Sequence, residues 1–155
     1  MLADVKAKRP SRTATTDGVP AATTTRRADQ IDAQNAAVAA LEEMVTDWLA
    51  VPDAAELQGV ALAAVRRQLQ DRELLAVRRG PNRALYIPAA FLTAEGPRSE
   101  MKGTFTVLTD AGMSDVELLT WLFRPDTSFF GGSAMASILA GHKTEVRRRA
   151  MEEAF

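Results

Sequence analysis

The chain has 155 residues, a formal net charge of −1 and 46% apolar residues, enough for one domain with a hydrophobic core or a small domain with appendages. It contains no cysteine, which excludes a disulfide framework and a thiolate metal site and agrees with a reducing compartment. Without a signal-peptide pattern or an apolar run of membrane-spanning length, the sequence predicts a cytoplasmic protein with no membrane partner.

The low net charge conceals a strong segregation of charge along the chain. Residues 1–30 contain six Lys or Arg against three Asp, and residues 31–50 contain four acids and no base. Residues 61–83 contain six Arg against two acids. Because a local basic surface matters more for nucleic-acid binding than the overall charge does, DNA remains a candidate partner.

Residues 1–30 have no hydrophobic periodicity and no bulky apolar residue after Val19, which predicts a disordered basic tail. One interpretation is a solubilising extension. The other is a tail that adds phosphate contacts to DNA and is switched off when a kinase phosphorylates its threonines. The candidate phosphorylation sites are Thr13, Thr15, Thr16, Thr23, Thr24 and Thr25.

Residues 31–47 are rich in alanine, and apolar residues recur every three or four positions at Val38, Leu41 and Val45. This spacing predicts an amphipathic helix that packs on the core, since too few heptads are present for a coiled-coil dimer. The acids on its other face would meet water or a partner: Glu42, Glu43 and Asp47. Residues 48–51 are compatible with the end of this helix or with a short extended segment.

Two short helices are predicted next. Pro52 suits a first helical turn, Asp53 adds the negative charge that such a turn favours, and Gly59 ends the helix. The second helix has one apolar stripe, formed by Leu62, Val65 and Leu69.

The opposite face of the second helix carries the residues that would read DNA. The 100° step per residue points Ala63, Arg67 and Gln70 outward, with Arg66 at the flank. In the major groove Arg67 can bind guanine, Gln70 can bind adenine, and Ala63 can touch a thymine methyl group.

A basic β-hairpin is predicted after these helices. Two short runs, Leu75–Arg79 and Arg83–Ile87, are separated by Gly80-Pro81-Asn82. Helix, turn, helix and hairpin in this order are typical of a winged helix-turn-helix over residues 48–92. The hairpin arginines would meet phosphates or the minor groove: Arg78, Arg79 and Arg83.

Residues 48–80 resemble the excisionase/MerR-type winged helix-turn-helix; they read WLAVPDAAELQGVALAAVRRQLQDRELLAVRRG. Three later segments are similar to a narrower group, the actinobacterial DNA-binding proteins related to a mycobacterial substrate of a Ser/Thr protein kinase. These segments read YIPAAFL, TVLTDAGMSDVELLTWLFRPD and EVRRRAMEEAF. The resemblance covers residues 48–155 and implies a cytoplasmic DNA-binding protein with a C-terminal domain of poorly defined role.

Residues 93–155 predict a compact C-terminal helical domain. A loop over 95–99 precedes a helix ending near Gly112, and Ser114 with Glu117 forms a capping box for the next helix. The residues expected to be buried in that helix are Leu118, Leu119, Leu122 and Phe123. In the last helix they are Val146, Ala150 and Met151.

Catalysis has little support in the sequence. His142 is the single histidine, and Gly131-Gly132 lacks the lysine and the strand context of a phosphate-binding loop. We therefore expect no enzyme activity, no catalytic residue, no cofactor and no metal.

Two functions remain open for this mainly α chain. The first is a DNA-binding transcriptional regulator or chromosome-associated protein of the nucleoid, with double-stranded DNA as partner. The second is a protein-interaction module, an adaptor or antitoxin-like protein, whose C-terminal helices bind a protein partner. Residues 129–141 (FFGGSAMASILAG) also resemble the toxin-binding domain of some antitoxins. In that case the arginines of the second helix and the hairpin would form an ordinary solvated surface. The oligomeric state is left open.

Overall fold

The computed structural model describes the backbone of residues 21–153 and the side chains of residues 24–153. Helices dominate this part of the chain, and the strands are short, as the sequence predicted. The chain divides into two units at the boundary between Asn35 and Ala36. None of the helices within residues 21–153 is long and apolar enough to cross a membrane.

Helix α1 spans Ala21–Met44. Residues 21–30, which were predicted to belong to a disordered tail, are therefore helical, and residues 1–20 lie outside the described part of the chain. Alanine, arginine and glutamine favour a helix even where nothing is buried, a contribution that apolar periodicity does not detect. Within the second unit, α1 buries Leu41 and is followed by buried Val45.

Helices α2 (Val51–Gln58) and α3 (Leu62–Gln70) form the predicted helix-turn-helix. Gly59 ends α2 in the left-handed conformation (φ 70°), and its N–H donates to carbonyl groups in the last turn of α2. Val65 is fully buried, as predicted. Leu62 was predicted to share its stripe but is 42% exposed, because it lies at the open first position of α3.

A three-stranded antiparallel sheet flanks the two helices. Its strands are β1 (Trp48–Ala50), β2 (Val77–Arg79) and β3 (Ala84–Pro88), in the order β1-β3-β2. Residues 48–50 are thus extended, which decides between the two structures left open for them. Tyr86 of β3 lies opposite one residue of each outer strand. Strands β2 and β3 are the predicted hairpin wing.

The chain after the wing makes a short 3-10 turn at Ala89–Phe91 and then a second, two-stranded sheet. Its strands are β4 (Leu92–Thr93) and β5 (Gly96–Pro97). The prediction of a simple loop over 95–99 was wrong here. Pro97 obscures the strand in the sequence, although proline is tolerated at the end of an edge strand.

Four α-helices follow within the described residues: α4 (Lys102–Asp110), α5 (Asp115–Phe123), α6 (Ala134–Leu139) and α7 (Lys143–Glu153). The capping box of α5 is present. The Glu117 N–H donates to Ser114 Oγ over 3.2 Å, and the Ser114 N–H donates to Glu117 Oε2 over 3.0 Å. Ser133 caps α6 by accepting the Ala136 N–H over 3.0 Å.

The buried apolar side chains of the second unit form one cluster. The Phe91 ring lies 5.1 Å from the Phe105 ring and 5.7 Å from the Phe123 ring, so the winged part and the C-terminal helices share a core. The expected burial in α5 is present at Leu118, Leu119 and Leu122, whereas Phe123 is only partly buried. Met151 is exposed, contrary to expectation, because it follows buried Ala150 and points 100° away from it.

Candidate nucleic-acid interface

The outward face of α3 has the composition and exposure that the sequence predicted. Ala63, Arg67 and Gln70 are exposed on the side opposite buried Val65, and Arg66 is exposed at the flank of that side. They line an open concavity of about 720 Å³. Neither Arg66 nor Arg67 forms a salt bridge with any residue between 24 and 153. Both guanidinium groups are therefore available to a ligand.

A reciprocal amide pair, which the sequence did not predict, joins α2 to α3. Gln58 Nε2 donates to Gln68 Oε1 over 3.0 Å, and Gln68 Nε2 donates to Gln58 Oε1 over 2.8 Å. Two parallel hydrogen bonds define one relative orientation of the helices better than a single bond does. The pair adds to the core contacts of Ala54, Ala55 and Val65 in joining α2 to α3.

The Arg79 side chain contacts helix α1 and the other two strands of the sheet. Its Nε donates to Glu42 Oε1 over 3.1 Å, and its guanidinium carbon lies 4.4 Å from the Trp48 ring centroid and 5.0 Å from that of Tyr86. Its side chain is 22% exposed. This arginine joins the wing to α1, because aromatic faces and a carboxylate satisfy its charge, and the pairing weighs against the predicted contact of Arg79 with DNA phosphates.

The tip of the wing presents the two remaining hairpin arginines. Both Arg78 and Arg83 are exposed, and Arg78 Nη1 donates to the Arg83 carbonyl oxygen over 2.9 Å. Arg83 adopts a positive φ of 50° at the end of the turn. Within the described chain, neither side chain has a carboxylate partner.

Arg72 contributes to the structure rather than to the exposed basic face. It follows α3 with a φ of 61°, and its guanidinium donates to Asp115 Oδ1 and to Thr109 Oγ1, each over 2.8 Å. It thereby connects the end of α3 to the α4–α5 corner. Four of the six arginines between residues 61 and 83 are exposed and form no salt bridge with residues 24–153: Arg66, Arg67, Arg78 and Arg83.

Some charged groups of α7 and of the loop after α5 form local pairs. Hydrogen bonds from the Ser128 side chain and backbone lower the pKa of Asp126. The hydrogen bond from Arg148 lowers the pKa of Glu145, and the same pair raises the pKa of Arg148. These groups lie outside the outward face of α3 and do not alter its charge.

His142 lies just before α7, where it is exposed, and its ring packs 4.7 Å from the Phe130 ring. Among residues 24–153 no three His, Asp or Glu side chains are grouped so as to hold a metal ion. The expectation that the protein is not an enzyme stays a prediction.

The predicted phosphorylation sites fall in two parts of the chain. Thr13, Thr15 and Thr16 lie outside the described residues, and Thr23 lies in the first turn of α1. Thr24 and Thr25 are exposed on α1. Their modification stays a prediction.

Two family descriptions match consecutive parts of this chain. The DNA-binding protein Rv2175c wHTH domain matches residues 33–92, and the Rv2175c C-terminal domain of unknown function matches residues 99–154. The NMR structure of Rv2175c superposes with a TM-score of 0.63 at 32% identity, over 70% of this chain and 82% of that one. The chain belongs to the Rv2175c family. It therefore carries the winged helix-turn-helix of a family of DNA-binding proteins.

One curated member of the Rv2175c family is the DNA-binding protein Rv2175c of Mycobacterium tuberculosis. It is 40% identical over 79 residues, which cover 50% of this chain and 53% of the relative. The match thus spans about half of that protein. The excisionase/MerR relationship suggested by residues 48–80 stays a prediction.

Proposed function

We propose that this Rv2175c-family protein binds duplex DNA with α3 in the major groove and the tip of the wing on the backbone. The observation that carries the proposal is that Arg66 and Arg67 are exposed beside Gln70 on α3 and form no salt bridge within residues 24–153. A helix fits the major groove, where arginine and glutamine can each make paired hydrogen bonds to a base edge. Arg67 and Gln70 are assigned to guanine and adenine, and Arg66 to the flanking backbone.

The wing supplies the second part of the interface. Arg78 and Arg83 are exposed at its tip and are assigned to phosphates on either side of the groove that α3 enters. Glu73, together with Asp71 at the end of α3, lines the same concavity and limits its positive charge. The protein therefore gains selectivity from a few base contacts and a moderate share of its affinity from phosphates.

The biological role that we infer is transcriptional regulation or chromosome association in the nucleoid, through binding and without catalysis. We further assign a Ser/Thr protein kinase to the N-terminal threonines as a regulator. Thr24 and Thr25 are exposed and precede Arg26 and Arg27, so that phosphate groups there would offset basic charge.

The test is fluorescence anisotropy of labelled duplex DNA with the full chain at several salt concentrations. The double variant Arg66→Ala/Arg67→Ala is expected to bind at least tenfold more weakly, since two charged contacts are lost. The matched control is Lys143→Ala/Arg148→Ala, which removes two exposed charges from α7 and should bind like the parent. Equal binding by both double variants would refute the assigned interface.

A second candidate function is a protein-interaction module, favoured by one observation in the C-terminal helices. Phe130 is 65% exposed within the segment that resembles antitoxins, and Leu139 is also exposed. If this function is the principal one, Phe130→Ala will abolish capture of a protein partner, and the parent chain will not shift duplex DNA at physiological salt.

A further inference from the structure

An exposed apolar segment lies where the helix-turn-helix turn enters α3. Residues 59–63 are all exposed, although this run contains the branched side chains of Val60 and Leu62. Val60 is 39% exposed and Leu62 is 42% exposed. We call Val60, Leu62 and Ala63 the apolar turn.

The apolar turn does not stabilise the start of α3. Ala61 occupies the N-cap position in an extended conformation, and no side chain there accepts a hydrogen bond from the helix. Serine, threonine, aspartate or asparagine at this position would satisfy a backbone N–H of the first turn. The composition of this segment therefore favours contact with a ligand over capping of the helix.

The apolar turn is continuous with the proposed base-reading face. Ala63 belongs to both, and Arg66 and Arg67 follow one turn later on α3. Helical side chains lean towards the N-terminus, so Leu62 and Ala63 project beyond the end of the helix. In helix-turn-helix proteins the N-terminal residues of the recognition helix contact base edges.

The chemistry of the major groove identifies what an apolar side chain contacts there. Adenine, guanine and cytosine present hydrogen-bonding groups, whereas thymine also presents its C5 methyl group. An apolar side chain over a polar edge leaves that edge without a partner, which costs binding free energy. Over a thymine methyl group it removes apolar surface from water, which favours binding.

We propose that Val60 and Leu62, together with Ala63, contact thymine C5 methyl groups and make thymine the preferred base beside those read by Arg67 and Gln70. This inference rests on the proposed function and adds a specificity that the charged residues cannot supply. A second copy of the chain is a less suitable partner for the apolar turn. A two-fold contact centred on Leu62 would bring Arg66 and Arg67 close to the same arginines of the other copy, and these like charges repel.

The experiment starts with a selection of duplexes from a random pool by the full chain. Each thymine of the selected duplex is then replaced singly by uracil, which removes the methyl group and leaves every hydrogen-bonding group in place. We expect at least one replacement to weaken binding about fourfold, the factor that corresponds to the loss of one buried methyl group. Leu62→Ala or Val60→Ala should reduce binding to the thymine duplex and remove its difference from the uracil duplex.

Leu139→Ala is the matched control, since Leu139 is similarly exposed, at 48%, but lies on α6. It should keep the full difference between thymine and uracil. If the selected duplex binds but no uracil replacement changes its affinity, the thymine proposal is refuted while the proposed function stands. If the chain binds no duplex, both fail. A dimer in the absence of DNA that Leu62→Ala dissociates, with uracil sensitivity unchanged in that variant, would also overturn the proposal.

Discussion

Arg79 Nε lies 3.1 Å from Glu42 Oε1, and this pair joins the wing to helix α1. The guanidinium also lies over the Trp48 and Tyr86 rings, which belong to the other two strands of the sheet. One arginine thus contacts α1, β1 and β3. Its position shows how a basic residue of the hairpin supports the fold.

Replacement of Arg79 should therefore reduce stability. Arg79→Ala is expected to lower the free energy of unfolding by about 1–2 kcal/mol, because it removes a partly buried ion pair and the contacts with two rings. Glu42→Gln should lower the free energy of unfolding by less than about 1 kcal/mol, since the amide oxygen still accepts a hydrogen bond. Urea unfolding of both single variants and of the double variant measures the coupling free energy between Arg79 and Glu42.

The same variants separate a structural role from a DNA contact. Arg79→Ala should bind DNA with the parent's salt dependence, because no phosphate contact is assigned to it. A salt dependence shallower by about one unit would instead show that Arg79 leaves Glu42 to bind a phosphate.

Arg72 gives a second stability prediction, based on its positive φ and its pair with Asp115. Arg72→Ala loses the hydrogen bonds to Asp115 and Thr109 and keeps an unfavourable left-handed conformation. Arg72→Gly loses the same bonds, but glycine adopts the left-handed conformation without steric strain. The glycine variant should therefore be more stable than Arg72→Ala by about 1 kcal/mol. Thermal unfolding compares the two. An alanine variant at least as stable as the glycine variant would contradict this explanation.

Burial in α5 sets the third prediction. Leu119 is fully buried, so Leu119→Ala should lower the free energy of unfolding by about 2–5 kcal/mol. Phe123 is only partly buried, and Phe123→Ala should cost less than the 3–5 kcal/mol or so of a fully buried ring. Met151→Ala, at an exposed position of α7, is the control and should stay within about 0.5 kcal/mol of the parent. Denaturant unfolding of the three variants tests this order.

The orientation of α3 was predictable because helical periodicity is local. Once Val65 is taken as buried, the 100° step places Ala63, Arg67 and Gln70 on the opposite face, and the structure agrees. The capping box of Ser114 and Glu117 was predictable for the same reason, since its two residues are three positions apart.

The places of Arg79 and Arg72 were not predictable from the sequence. Arg79 meets Glu42 at a separation of 37 residues, and Arg72 meets Asp115 at a separation of 43. A local pattern gives each arginine a charge and an approximate direction, but only the tertiary fold brings the carboxylate to it. The exposure of Leu62 was missed similarly, because a stripe of apolar residues does not show where the covering core ends.

The central claim is that α3 reads bases while the tip of the wing binds the backbone, and a comparison of Arg67→Ala with Arg83→Ala tests it most directly. Binding of a selected and a scrambled duplex is measured over a range of salt concentrations, with circular dichroism to verify folding. Arg67→Ala should lose about 1–3 kcal/mol of binding free energy on the selected duplex. It should also lose most of the discrimination between the selected and the scrambled duplex. Arg83→Ala should weaken both duplexes alike and lower the salt dependence by about 0.9 units. If both variants fold and bind both duplexes like the parent, this surface is not the DNA-binding face.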